Sequence, residues 1–380
     1  MATEEYSSAS VADGADASRS PSLPGRQPDV VEKHFIYQMN AATNQVLKAE
    51  EIDPTTRERK EVGLYDTPHI YRITVRDHLR TDTFRRALSA AVNEGDVVLD
   101  VRAGTGILSL FAAQAGASKV YAVEPAGVAG LARQLVARNN LQETVEVIQA
   151  KVEDVRLPAK VDVIVSGWLG PYGVDGSMLA PVLLARDRWL KPGGRIVPER
   201  VTAWMAPVSS DVCLETAFFH SRPYGLNLAP LAESSVQELM GALPRFTGKD
   251  LQAEPQAMWT TDLHRFPLEQ ATQPFRTSLA FVFDRQARIN AFAAWHHTEF
   301  GNRLVLSNAP RQASGSWRRR FVLPLERTVV LEPGAQMTVH FVCLPDGAGY
   351  SHHSWSVRVG SGAWEHHDTR TNEPPRPLAS

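Results

Sequence analysis

The pattern of apolar and polar positions divides the chain near residue 199. Before that point, short β-branched runs alternate with segments of helical spacing, as in a parallel sheet covered by helices. The clearest unit spans residues 97–124: an apolar strand, a glycine-containing turn, a helix and a second strand. After residue 199, short alternating runs recur between turn signals, which predicts an all-β sandwich or barrel. We therefore expect an α/β Rossmann-like domain followed by an all-β, barrel-like domain.

Weaker patterns extend this prediction along the chain. Apolar spacing predicts helices over about 31–52 and 77–92, and another over 178–190 that ends at Lys191-Pro192-Gly193-Gly194. The interval 211–246 interrupts the β pattern with mixed, partly helical sequence, as an inserted arm would. The predicted organisation is a disordered tail (1–30), N-terminal helices with a lid role (31–95), the Rossmann-like domain (96–198), the barrel domain (199–367) with its arm at about 211–250, and a second tail (368–380).

Composition narrows the class of protein. A formal net charge of −2 over 380 residues provides no bulk attraction to nucleic acid or to an anionic membrane. Two cysteines, Cys213 and Cys343, are too few for a disulfide scaffold and suit a reducing cytosol. The N-terminus is acidic and polar, unlike a signal peptide, and no apolar run approaches a transmembrane span. We expect a soluble cytoplasmic protein without a metal.

The turn after the first strand of the 97–124 unit contains the candidate cofactor chemistry. Asp100 lies in that strand, and Gly104-Thr105-Gly106 follows without the third glycine that a dinucleotide fingerprint requires. This pattern looks like the loop that binds S-adenosylmethionine. Glu124, at the end of the second strand, can accept both hydrogens of a ribose diol. A βαβ unit that binds no nucleotide is the less favoured alternative.

Four stretches, in order, resemble one known family. They are Asp77-His78-Leu79-Arg80-Thr81, residues 97–124, residues 150–166, and Ser177-Met178-Leu179 with the helix that follows it. Together they resemble the protein arginine N-methyltransferases, which are class I S-adenosylmethionine-dependent enzymes, from about His34 to Trp364. The resemblance implies N-terminal helices, a methyltransferase sheet domain, a β-barrel interrupted by a dimerisation arm, and a homodimer formed through that arm.

The resemblance also implies roles for individual residues at the cofactor. Arg80 would pair with the methionine carboxylate, Glu124 would hold the ribose hydroxyls, and Glu153 would accept from the adenine amino group. Arg102 stands where the family has its first motif glycine. The complete expected cofactor set is Tyr71, Arg80, Asp100, Gly104, Gly106, Glu124, Lys151, Val152 and Glu153, with S-adenosylhomocysteine as the product.

The substrate side departs from the family. Both glutamates that clamp the substrate guanidinium are glycines here, Gly167 and Gly176, and the family's T-H-W loop reads Gly315-Ser316-Trp317. Without these carboxylates a desolvated guanidinium would be left uncompensated. Asp175 lies one position from a lost glutamate. From this loss we expect the chain to act on a substrate other than protein arginine.

The leading hypothesis from the sequence is methylation of a small aromatic molecule, specifically the C3 carbon of an indole in specialised metabolism. The pocket would be lined by aromatic side chains around the two glycines, although each aromatic is equally compatible with core packing. Candidate bases are His69, Tyr65, Asp175 and His296. The candidate substrate-contacting residues are Trp168, Tyr172, Gly167, Gly176 and Trp295, with Tyr65 and His296 beside them.

Two alternatives stay open. One is an arginine or guanidine N-methyltransferase with a rebuilt clamp, in which Asp175 replaces a lost carboxylate. The other is a non-catalytic, dimeric binding subunit. In each case the apolar arm residues Leu226, Leu228, Leu231 and Leu239 favour a homodimer.

Overall fold

The structure of the protein is a computed structural model. It describes residues 5–7, 34–40, 45–52, 59–62, 67–174, 178–213, 218–219, 221–231, 246–301, 303–310, 321–345 and 351–368. The chain forms two compact units, Met1–Ile73 and Thr74–Ser380.

The first unit contains an antiparallel sheet. Its strands pair in the order β1-β2-β3-β4, with bounds β1 Glu5–Ser7, β2 His34–Asn40, β3 Gln45–Ile52 and β4 Arg59–Val62. The prediction of a helix over 31–52 was therefore wrong. His34–Asn40 is rich in aromatic and β-branched residues, which favour strands, and its pairing with β3 satisfies the backbone groups of both segments. Apart from β1, the predicted tail 1–30 lies outside the described residues.

Two helices precede the parallel sheet: α1, Pro68–Arg76, and α2, His78–Ala91. Asp77 caps α2, because its Oδ1 accepts the Arg80 backbone N–H at 3.1 Å. Phe84 and Leu88 on α2 are fully buried. The cap therefore sets where α2 begins, and with it the position of Arg80 in the first turn.

The sheet of the α/β domain is parallel throughout. Its strand order is β7-β6-β5-β8-β9, so the order reverses between β5 and β8, and ligands bind at the carboxyl ends of the strands beside such a reversal. The bounds are β5 Val97–Val101, α3 Ile107–Gln114, β6 Lys119–Val123, α4 Ala129–Arg138, β7 Val145–Ile148, β8 Val161–Val165, α5 Leu179–Trp189 and β9 Leu190–Val197.

In the described segments after residue 199 the strands form two antiparallel sheets, and short 3₁₀ helices lie between some of them. One has the order β11-β10-β13-β14, with β15 also paired to β13, and the other has the order β12-β16-β17-β18. The bounds are β10 Arg200–Val208, β11 Gln256–Asp262, β12 Phe275–Val282, β13 Ala287–Glu299, β14 Val305–Ser307, β15 Phe321–Leu331, β16 Gln336–Pro345, β17 Ser351–Val359 and β18 Glu365–Asp368. The predicted Rossmann-like domain followed by a β-barrel-like domain is confirmed.

The described part of the arm carries apolar side chains at its surface. Phe218 is 48% exposed, Tyr224 86% and Leu226 58%. Leu239, named above for the same role, lies outside the described residues. Within the described residues, no helix combines the length and apolarity required to cross a membrane.

Candidate active site

The turns after β5 and β6 are joined by one carboxylate. The Gly104 N–H donates to Glu124 Oε2 at 2.8 Å, and the Ala126 N–H donates to Glu124 Oε1 at 2.8 Å. Gly104 and Gly106 take positive φ angles of 59° and 77°, which glycine adopts without strain. Glu124 therefore holds the glycine turn against the end of β6. Because each carboxylate oxygen has two lone pairs, the same side chain can also accept from a ligand.

Arg102 shares this turn and is itself in the left-handed region, with φ 56°. An L-residue with a side chain pays a steric cost there that glycine avoids. The side chain of Arg102 is exposed. The turn thus keeps the form that a glycine would favour, at the expense of local strain.

Asp100 lies at the base of the turn and is completely buried. Its Oδ2 accepts the Ser109 hydroxyl at 2.7 Å, whereas its Oδ1 has no hydrogen-bond partner among the described residues. Burial raises the pKa of Asp100 to about 7; the Ser109 hydrogen bond opposes this rise and the Glu124 charge adds to it. A buried carboxylate oxygen without a partner is a ready acceptor for a ligand's N–H groups.

Arg80 supplies the positive charge of the site. It is buried, with 5% exposure, and its guanidinium lies 4.9 Å from the Phe84 ring centroid. Burial lowers the pKa of Arg80 to about 10, opposed by the carboxylates of Asp77 and Asp100. The guanidinium is therefore still charged at neutral pH, beside a buried acid.

Gly167 lies directly against this guanidinium. Arg80 Nη2 donates to the Gly167 carbonyl oxygen at 3.3 Å, and a Cβ built on Gly167 would collide with the same nitrogen. Arg80 thus fills the space in which any side chain at position 167 would begin. A glutamate at position 167, where the family has one, would therefore require Arg80 to move.

The adenine-side segment follows β7. Val152 is buried, whereas Lys151 and Glu153 are exposed. The Glu153 carbonyl accepts from Arg188 Nη1 at 2.7 Å, which fixes the backbone of the segment on α5. Its carboxylate is left at the surface, where it can reach an incoming ligand.

Not all of the predicted site residues belong to the described part of the second unit. Tyr65, Asp175, Gly176 and the 315–317 loop lie outside the described residues. His69 and Tyr71 are half-buried on the part of α1 that belongs to the first unit. Their predicted roles, as base and lid, stay predictions. The structure does bring together Arg80, Asp100, Gly104, Gly106 and Glu124.

The aromatic candidates for the substrate pocket are buried. Tyr172 and His296 are 0% exposed, and Trp168 and Trp295 are 2% exposed. Tyr172 packs in the barrel core against Phe321, with ring centroids 5.0 Å apart. Core packing, the alternative left open by the sequence, accounts for the burial of Tyr172, and the substrate-contacting roles of these residues stay predictions.

His296 is equally unsuited to the role of base. Its Nδ1 is 2.8 Å from the Thr298 hydroxyl, and burial lowers its pKa to about 3, with a smaller contribution from His297. A fully buried imidazole with so low a pKa is a weak proton acceptor. The structure therefore places His296 in the core.

Sequence reasoning did not identify Ser109 or Ser166. Ser109 binds Asp100, and the Ser166 hydroxyl donates to the Val101 carbonyl at 2.7 Å, joining the ends of β8 and β5. The available signal for Ser109 was a single polar residue within the otherwise apolar first turns of α3.

The sheet is parallel, its glycine turn lies where the strand order reverses, and buried acids lie beside that turn. Together these features define a class I methyltransferase. The family model for ribosomal protein L11 methyltransferase (PrmA) matches residues 77–171, and the model for the arginine methyltransferase oligomerization subdomain matches residues 199–358. Protein arginine N-methyltransferase 6 of Danio rerio is 35% identical over 283 residues, covering 72% of this chain and 81% of the relative. The chain belongs to the protein arginine N-methyltransferase family.

Further comparisons agree. Probable protein arginine N-methyltransferase 6.1 of Oryza sativa is 40% identical over 237 residues, covering 61% of this chain and 60% of that protein. An open conformation of Arabidopsis thaliana protein arginine methyltransferase 10 superposes with a TM-score of 0.66 at 26% identity, covering 80% of this chain and 97% of that one. The Trypanosoma brucei PRMT1 enzyme–prozyme complex with AdoHcy gives 0.69 at 25% identity, covering 81% and 98%.

These relationships correct the leading functional hypothesis. The curated relatives, at 30–40% identity, are named arginine N-methyltransferases, which contradicts indole C3-methylation and favours the arginine alternative. The two glutamates replaced by glycine concern one loop, whereas the likeness to arginine methyltransferases spans both domains. The prediction of S-adenosylmethionine as cofactor is confirmed. Asp100 Oδ1, which has no hydrogen-bond partner among the described residues, and the charged Arg80 fit its amino and carboxylate groups.

Proposed function

We propose that the chain transfers a methyl group from S-adenosylmethionine to a guanidinium nitrogen of an arginine substrate. The observation that carries this proposal is its membership of the arginine methyltransferase family over both domains, together with a complete set of buried charges at the cofactor end. The bound cofactor supplies an electrophilic methyl group on a sulfonium sulfur. The remaining chemistry belongs to residues of this chain.

The cofactor end divides into three roles. Arg80 would pair with the amino-acid carboxylate, and Asp100 Oδ1 would accept from the amino group. Glu124 would accept the ribose hydroxyls while holding the glycine turn, and the exposed Glu153 carboxylate would accept from the adenine amino group. Burial of Arg80 and Asp100 excludes water from the charged end, which strengthens these contacts.

The substrate end needs a carboxylate that Gly167 and Gly176 do not supply. Charge-assisted hydrogen bonds to carboxylates are how proteins hold a guanidinium. Asp175, next to Gly176, is the acid of this loop, and we assign it the clamp. There it would orient the guanidinium and accept the proton that the nitrogen gives up as the new C–N bond forms and the C–S bond breaks.

The test is methyl transfer from labelled S-adenosylmethionine to an arginine- and glycine-rich peptide, with the lysine-for-arginine peptide as control. We expect methylarginine in the first peptide only. Asp175→Asn should lower kcat/KM about a hundredfold while leaving the affinity for S-adenosylhomocysteine unchanged, because two lost charge-assisted bonds are worth about 3 kcal/mol. The matched control is Asp284→Asn, an exposed barrel residue. Equal activity of Asp175→Asn and the wild type would contradict the clamp.

A second function is favoured by a specific observation. Glycines replace both clamp positions, and Arg80 fills the space at Gly167. A subunit that binds the cofactor without transferring a methyl group would have no need of the clamp. The Trypanosoma brucei PRMT1 structure is an enzyme–prozyme heterotetrameric complex with AdoHcy. This candidate predicts binding of S-adenosylhomocysteine by calorimetry with no label in any arginine peptide.

We also propose a homodimer formed through the arm. The match to an oligomerization subdomain and the exposure of Phe218, Tyr224 and Leu226 support it, because apolar groups at this density rarely face water in a monomer. Sedimentation should show a dimer that Tyr224→Ser with Leu226→Ser dissociates, whereas a monomeric wild type would contradict the proposal. The cytoplasmic location stays a prediction from the sequence.

A further inference from the structure

A serine of α3 binds one of the two carboxylate oxygens of Asp100. Both residues are 0% exposed, and the Ser109 hydroxyl donates to Asp100 Oδ2 at 2.7 Å. The other oxygen, Oδ1, has no hydrogen-bond partner among the described residues. The two oxygens of this acid therefore differ, because one is bound within the protein and the other is left for a ligand.

The Ser109 hydroxyl also sets the direction of Oδ1. The terminal torsion of an aspartate side chain is broad, so a carboxylate without partners can turn about it. Ser109 lies nine residues from Asp100 along the chain, in the first turn of α3. Leu108, Leu110 and Ala112 pack the same helix into the core, which fixes the place of the hydroxyl. Its hydrogen bond to Oδ2 thus holds the plane of the carboxylate, and with it Oδ1.

The same hydrogen bond acts on the charge of Asp100. Burial raises the pKa of Asp100 to about 7, and the Ser109 hydroxyl is the largest of the effects that oppose this rise. Of the charged groups that act on Asp100, Glu124, which follows β6, raises its pKa, and Arg80, on α2, lowers it. The helix α3 itself has no titratable side chain. Without the hydroxyl, a larger fraction of Asp100 would be protonated at neutral pH.

We propose that Ser109 is a positioning residue for S-adenosylmethionine, whose hydroxyl holds Asp100 so that Oδ1 meets the amino group of the cofactor. It also favours the ionised acid, which is the form that attracts an ammonium group. The inference rests on the role proposed above for Asp100 and is independent of which substrate receives the methyl group. The competing explanation is structural: Asp100 and Ser109 would only join β5 to the first turn of α3.

The test is Ser109→Ala, which removes the hydroxyl and keeps a residue that favours a helix. Calorimetry measures the affinity for S-adenosylhomocysteine, which has the same amino group, between pH 6 and pH 8.5. We expect the variant to bind about twentyfold more weakly than the wild type at pH 6. About tenfold of this comes from ionisation of Asp100 about one pH unit higher, and about twofold from the lost orientation. At pH 8.5 both proteins hold the ionised acid, so the loss should shrink to within about threefold.

Two comparisons separate positioning from structure. In an Asp100→Asn background, Ser109→Ala should give a small loss that does not vary with pH, because position 100 no longer titrates. Ser166→Ala is the matched control. It removes another buried hydroxyl at the same edge of the sheet, one that binds the Val101 carbonyl at 2.7 Å instead of an acid. Its affinity should depend on pH as that of the wild type does.

Each outcome decides between these explanations. An unchanged affinity of Ser109→Ala, or a loss of the same size at every pH, overturns the positioning role. A pH-dependent loss that persists in the Asp100→Asn background overturns the route through Asp100. A wild type that binds S-adenosylhomocysteine as expected but methylates no arginine peptide overturns the proposed transfer to arginine and leaves this inference standing. Urea unfolding of each variant without ligand identifies any general loss of structure.

Discussion

The cofactor end and the substrate loop lie at the same edge of the sheet but depend on different interactions. At the cofactor end, Arg80, Asp100 and Glu124 are buried ionisable groups; Asp100 shifts the pKa of Arg80, and Ser109 and backbone N–H groups donate to the two acids. In the substrate loop, Gly167 has no side chain, and the residues that follow it are held by hydrogen bonds to the barrel domain. Losing a buried charge leaves a partner uncompensated, whereas losing a side chain that faces a ligand leaves none. The loop can therefore change its chemistry while the cofactor end cannot.

The contrast is sharpest at Asp100, whose native pKa of about 7 lies above the ordinary value of 3.8. Between these two values the native state holds a proton that the unfolded chain releases, so wild-type stability falls as pH rises through about 4–7. Asp100→Asn keeps a polar group for Ser109 but does not titrate. We expect its free energy of unfolding, relative to the wild type, to rise by about 2 kcal/mol from pH 5 to pH 7, because the slope is about 1.4 kcal/mol per pH unit well below the native pKa and half of that at the pKa.

Urea titrations at the two pH values measure this difference. Asp284→Asn, an exposed carboxylate, is the control and should follow the wild type. If the free energies of unfolding of Asp100→Asn and the wild type change equally between the two pH values, the buried acid at position 100 does not titrate as expected.

Glu124→Gln tests the other acid of the same end. An amide has one acceptor oxygen and no charge, so it cannot accept from two backbone N–H groups and a ribose diol as the carboxylate does. We expect the affinity for S-adenosylhomocysteine to fall about thirtyfold, or about 2 kcal/mol. Calorimetry measures it, with Glu143→Gln on the surface as the matched control. An affinity within threefold of the wild type would remove Glu124 from the cofactor set.

The smallest effect is expected at Arg102, in the turn between the two regions. Relief of the left-handed φ of 56° should outweigh the entropy that glycine adds to the unfolded chain, so Arg102→Gly should stabilise the protein by about 0.5–1 kcal/mol. Arg86→Gly, in the middle of α2, should do the opposite by about 1 kcal/mol. Urea unfolding compares the two, and a destabilised Arg102→Gly would mean that the side chain makes a contact that offsets the strain.

The sequence predicted those features that depend on local period and turn chemistry. The strands of the parallel sheet, the glycine turn and the change to β structure after residue 199 all have short-range signals. The helix predicted over 31–52 failed because Phe35, Ile36 and Met39 fit helical spacing as well as a strand, and pairing with the neighbouring strand β3 decided between them.

The site was less accessible for a related reason. The sequence suggests Tyr172 and His296 as pocket residues because they fall near altered motifs, yet their burial depends on barrel strands far along the chain, such as β15 and β16. The contact between Arg80 and Gly167 joins residues 87 positions apart. No local pattern encodes such a pair. The sequence therefore shows that both glutamates are replaced, but it does not show what the replacement does to the site.

That contact also has a consequence for the order in which substitutions can occur. A mutation that returned glutamate to position 167 would meet Arg80 Nη2 at its first carbon, before its carboxylate reached any substrate. Because that nitrogen is the end of a flexible side chain, Arg80 would have to shift before glutamate fits, so substitutions at positions 80 and 167 are not expected to act independently.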